Sequence, residues 1–121
     1  MIEMSGGSDV DIALLEAVFS VYETPSWPMP ALLMAGGTND VWPSASLALV
    51  DFEASTDSLQ DQLVADGHFV VRCSHTQGHT VPTKGFAVAK DWFLAHRFGE
   101  ESPYSIDGIG DWDSWCEIAS E

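Results

Sequence analysis

The sequence predicts an α/β fold, part of a parallel sheet of about three strands joined by crossover helices. Three observations lead there. Two apolar, β-prone runs, residues 31–35 and 68–73, are each bounded by proline, glycine or polar residues. Stretches with helical spacing of apolar residues alternate with them. The loops that follow the two runs concentrate glycine, aspartate and histidine, as loops beyond the carboxyl ends of parallel strands do.

In chain order, Ile2-Glu3-Met4 reads as the end of a strand running into the turn Ser5-Gly6-Gly7. Residues 9–22 read as a helix, with Ile12, Leu15, Phe19 and Tyr22 on one face and Ser8 or Asp9 as its cap. Residues 24–30 hold three prolines and are extended or turn. Residues 31–35 read as a strand buried on both faces. Residues 36–43 form a loop, and residues 44–67 a helix in one or two pieces, with Leu59 and Leu63 inward and Gly67 just past its end. Strand 68–73 and the polar loop 74–82 follow. A last helix spans residues 83–96, with Phe86, Ala89 and Phe93 aligned. Residues 1–104 read as one α/β unit and residues 105–121 as an acidic irregular tail. Three strands make a thin sheet, so the unit looks like part of a larger one.

Composition excludes several function classes. The chain has 121 residues and a net charge of −15, from 19 acidic and 4 basic residues. Arg72, Lys84, Lys90 and Arg97 do not cluster, so a phosphate-binding surface for nucleic acid is not expected. No run is long and apolar enough for a membrane span, and Met1-Ile2-Glu3-Met4 lacks the features of a signal peptide. Cys73 and Cys116 are too few for a cysteine zinc site; they form one bridge or remain free thiols.

The candidate chemistry lies in two loops. Asp40 closes Gly36-Gly37-Thr38-Asn39-Asp40, and His79 lies in Ser74-His75-Thr76-Gln77-Gly78-His79. A carboxylate that accepts a hydrogen bond from one imidazole nitrogen fixes the tautomer and stabilises the imidazolium formed when the other takes a proton. The order acid, then histidine, is that of hydrolases whose serine comes first. His75 is the rival base. With His79 it also forms a His-x-x-x-His pair, a zinc-binding spacing on a helix, but Gly78 and the threonines disfavour a helix here. Asp107, Asp111 and Asp113 lack the terminal glutamate of a calcium loop and read as solvated acids.

Residues 30–40, Gly78-His79 with Val81-Pro82, and the stretch Ala89-Lys90-Asp91-Trp92-Phe93-Leu94-Ala95-His96 together resemble the acid strand, histidine loop and closing helix of α/β-hydrolases. Within that superfamily the chain is most similar to polyhydroxybutyrate depolymerase-like and feruloyl-esterase-like proteins, which are often secreted. The resemblance covers residues 1–104. It implies a carboxylic-ester hydrolase in which Asp40 is the triad acid and His79 the base, acting on a small-molecule or polymeric ester, with no cofactor and no metal. A Gly-x-Ser-x-Gly nucleophile elbow is missing. Ser5 is the candidate for its role, but Glu3 stands where the first glycine belongs. The resemblance therefore implies a fragment that is inactive by itself and exposes a sheet edge through which it associates. The alternatives are a non-catalytic α/β binding or interaction module, and a metal-binding protein built on His75 and His79.

Overall fold

The computed structural model describes residues 2–4, 23–44, 46–112 and 114–120, and of residues 2–4, 44, 48 and 49 the backbone alone. The helix expected over 9–22, and Ser5, lie outside them. Six strands and three helices are described: β1 (Ile2–Met4), β2 (Ala31–Ala35), β3 (Val41–Ser44), β4 (Leu47–Asp51), α1 (Phe52–Ala65), β5 (Val70–Ser74), α2 (Gly85–Ala95), α3 (Pro103–Asp107) and β6 (Cys116–Ile118).

The main sheet has the order β1-β2-β5-β6. β2 runs parallel to both β1 and β5, whereas β6 lies antiparallel on β5. A mixed α/β sheet therefore stands where about three parallel strands were expected. β2 is buried along its whole length. Its side chains alternate between two cores, as the pleat requires. Ala31 and Leu33 pack with Val70 and with Leu59 and Leu63 of α1. Leu32 and Met34 pack with Val71 and with Val88, Ala89 and Trp92 of α2. Helices cover both faces, which is what makes an uninterrupted apolar strand such as Ala-Leu-Leu-Met-Ala stable.

Three expectations need correction. Residues 44–67 are not helical throughout: β3 and β4 form an antiparallel hairpin that pairs Val41 with Asp51 and Trp42 with Val50, and the helix starts only at Phe52. Leu-Ala-Leu-Val suits a helix as well as a strand, and cross-strand pairing overrides that weak propensity. The true start is marked by Asp51, whose side chain accepts the amide of Ala54 at 3.0 Å. The inward face of α2 is also different. Gly85, Val88, Ala89 and Trp92 are buried, while Phe86 and Phe93 are each 68% exposed. The helix turns so that the indole of Trp92 enters the core, where it removes the largest apolar area from water. Finally, the stretch read as irregular carries α3 and β6. Cys116 of β6 is opposite Cys73 of β5 and is bonded to it by a disulfide. The expected inward pair Leu59 and Leu63 and the glycine after α1, Gly67 at φ 80°, are as the sequence indicated.

Candidate functional site

Loops at the carboxyl ends of β2 and β5 bring Asp40 and His79 together. After β2 the chain turns back, with the amide of Asp40 donating to the carbonyl of Gly37 at 2.7 Å. This hides Asp40 completely and points its carboxylate at the start of its own loop. Oδ2 accepts the amide of Gly36 at 2.7 Å, and Oδ1 lies 2.9 Å from Nδ1 of His79. The buried carboxylate is thus satisfied on both oxygens, the condition under which such a group tolerates burial. Nδ1 of His79 donates to it, which leaves Nε2 as the acceptor of the neutral ring.

The two loops are sewn to each other by backbone as well. The amide of Gly78 donates to the carbonyl of Gly36 at 3.0 Å, and that of His75 to the carbonyl of Ala35 at 2.8 Å. At Gly36 a Cβ would collide with the carbonyl of Gly78, and Gly78 itself sits at φ 70°. Glycine is therefore required at both for this close approach.

The other parts of the site come from α1, which the sequence had not linked to it. Phe52 lies against His79, ring centroids 4.3 Å apart and planes 16° from parallel. Glu53, the next residue, accepts the amide of Gly37 through Oε2 at 2.8 Å. Its Oε1 accepts Nη2 of Arg72 at 3.0 Å and the hydroxyl of Ser74 at 2.9 Å. Arg72 is buried on β5 and also reaches Asp57 at 2.8 Å, while its Nη1 is buried with no hydrogen-bond partner among the described residues. Burial raises the pKa of Asp57 above 3.8, helped by the carboxylates of Glu53, Asp61 and Asp51 and opposed by Arg72. Glu53 had no motif to reveal it. The only signal was its place in the first turn of a helix capped by Asp51, and that start was hidden by the misread hairpin.

The imidazole of His79 is half exposed, its side chain 47% accessible, and Nε2 has no hydrogen-bond partner among the described residues. It is therefore open to take or give a proton. The rival, His75, is buried and accepts the amide of Gln77 at 3.3 Å on Nδ1. Nδ1 of His79 is engaged by Asp40 and Nδ1 of His75 by the amide of Gln77 in its own loop. No group of three metal-ligating side chains occurs among the described residues. Ser5 lies outside those residues. No helix among the described residues is long and apolar enough to cross a membrane. Comparisons with protein-family models, with curated proteins and with solved structures find no match to this chain.

Proposed function

We propose that Asp40 and His79 are the acid and base of a serine-type carboxylic-ester hydrolase site, as in the α/β-hydrolases that the sequence resembles. The observation that carries this reading is the 2.9 Å contact between a fully buried carboxylate and Nδ1 of a half-exposed imidazole. A surface ion pair would leave both groups in water and would not fix the ring. Here the carboxylate is held by the Gly36 amide, the ring is held by Phe52, and the opposite nitrogen stays open.

In the proposed reaction Nε2 of His79 takes the proton of a serine hydroxyl as its oxygen attacks the ester carbonyl. The alcohol leaves with that proton, and water then releases the acyl group by the same route in a second step. Asp40 holds the ring and stabilises the imidazolium. The serine is Ser5 or one supplied from outside these 121 residues. The substrate class is a small-molecule or polymeric ester.

The test is to treat the purified chain with a fluorophosphonate probe and map the modified peptide by mass spectrometry. The reading expects one modified serine, with labelling abolished in His79→Ala and strongly reduced in Asp40→Asn. Absence of labelling from a chain with intact far-ultraviolet circular dichroism would remove hydrolysis as an activity of this polypeptide. It would leave the non-catalytic binding module as the better account.

A further inference from the structure

Glu53 joins both loops of the candidate site through one carboxylate. Oε2 accepts the amide of Gly37, in the loop that carries Asp40. Oε1 accepts the hydroxyl of Ser74, the last residue of β5, from which the loop of His79 departs. The same Oε1 accepts Nη2 of Arg72, two residues earlier on β5. From this convergence we infer that Glu53 is a positioning residue for the Asp40–His79 pair, with Arg72 as the counter-ion that holds it in place.

The inference rests on the hydrolase reading of that pair and adds what sets the spacing of its two loops. Three donors on one side chain suit an ionised carboxylate, which has only acceptors. Gly37 is where a small displacement would be felt. A Cβ built on it would lie 2.9 Å from the carbonyl of His75, so the acid loop rests directly on the histidine loop there. Glu53 draws Gly37 and Ser74 to a common point and keeps the loops together at this contact. The preceding residue, Phe52, stacks on His79 and donates its amide to the carbonyl of Asp40. An anchored Glu53 therefore also fixes the first turn of α1, and with it the ring against which His79 lies.

Packing alone does not account for Arg72. It is 5% exposed and shares a face of β5 with Val70, which packs in the apolar core under α1. A buried ion pair is commonly no more stabilising than apolar side chains of similar volume. Nη1 has no hydrogen-bond partner among the described residues, which makes this burial more costly still. What the charge supplies is direction. Nη2 reaches Glu53 at 3.0 Å and Asp57 at 2.8 Å, both on α1, and so ties the start of that helix to the end of β5. Glu53 cannot swing out to water without leaving a buried guanidinium poorly compensated.

The test is nitrogen-15 NMR of the His79 ring in the full chain, at a pH where the ring is neutral. In the parent chain the ring proton is expected on Nδ1, facing Asp40. In Glu53→Ala the ring is expected to become a mixture of its two tautomers. Its Nδ1 proton should exchange with water about tenfold faster, the factor that loss of a hydrogen bond to a charged group gives. Glu53→Gln keeps an oxygen for the Gly37 amide and is expected to recover most of the parent signal. Leu63→Val, in the core side of the same helix, is the control. It should lower stability in urea and leave the ring unchanged. A Nδ1 proton as protected in Glu53→Ala as in the parent overturns the proposal and leaves the Asp40–His79 pair standing. Equal loss of protection in Leu63→Val overturns it too, because the effect would then be one of helix stability. A parent ring protonated on Nε2 alone removes the pair itself, and the proposal with it.

Discussion

Phe52 and Glu53, the first two residues of α1, grip the two loops of the candidate site from one side: Phe52 stacks on the ring of His79, and Glu53 binds the backbone of Gly37. Removing the ring of Phe52 should free the imidazole to rotate about its side chain. Phe52→Ala is expected to cost about 1 kcal/mol from lost ring contact and to broaden the His79 ring signals in NMR. In a labelling-competent chain it should also slow fluorophosphonate modification. A His79 ring as sharp as in the parent chain would show that Asp40 alone fixes it.

Asp40 is buried, and each of its oxygens has its own donor. Asp40→Ala should leave the Gly36 amide without its acceptor and cost about 2–4 kcal/mol. Asp40→Asn keeps the volume but aims an NH₂ group at one of two donors, so a smaller cost of about 1–3 kcal/mol is expected. Urea unfolding of the three chains checks the ranking, which fails if the alanine variant is the more stable of the two.

Gly36→Ala tests the approach of the two loops. Its Cβ would meet backbone rather than a flexible side chain, so the loops must separate. The expected loss is about 1–3 kcal/mol, the usual range for overpacking. Faster hydrogen exchange at the amide of Gly78, which bonds to the carbonyl of Gly36, should accompany it. Unchanged exchange there would place the adjustment elsewhere.

Reduction of Cys73–Cys116 should destabilise the chain by about 2–4 kcal/mol, since the bond closes a long loop. Loss should be greatest in β6 and the turn before it, where Trp115 fluorescence would shift red as the indole leaves its place beside His75. Equal thermal midpoints with and without a dithiol reductant would contradict this.

The raised pKa of Asp57 gives a stability change of known sign. The folded chain holds the Asp57 proton more tightly than the unfolded chain, so this group favours folding at low pH. That contribution is lost as pH rises from 3.8 through the higher folded-state value. Asp57→Asn lacks the loss, so its stability relative to the parent chain should improve as pH rises through that window. Urea unfolding across the window measures it, and a trend in the opposite direction would mean that Arg72 outweighs burial.

The parts of the site that could be read in the sequence were those carried by short local signals. An apolar run between Pro30 and Gly36-Gly37 announced β2, and the loops beyond β2 and β5 announced Asp40 and His79. What could not be read depended on pairing across distance. Ser46 to Val50 suits helix or strand until Val41 and Trp42 are known to lie opposite. Glu53 looks like an ordinary first-turn acid until Arg72 and Gly37 are found beside it. The outward turn of Phe86 and Phe93 follows from Trp92 winning the core, a competition between two apolar faces of one helix. β6 is three residues long and is held by its neighbour and a disulfide rather than by any propensity of its own.

The β3–β4 hairpin leaves the site and returns to it at nearly one point. Val41 pairs with Asp51, and the amide of Phe52 donates to the carbonyl of Asp40 at 2.8 Å. The chain therefore closes a ring at its base, and whatever lies beyond the Trp42–Val50 pair hangs from that closure like a handle on a fixed hinge plate. Lengthening, shortening or exchanging the handle is expected to leave the acid and the first turn of α1 where they are. Substitutions at the tip, where Leu47 is already exposed, are therefore expected to leave Asp40 and the first turn of α1 undisturbed.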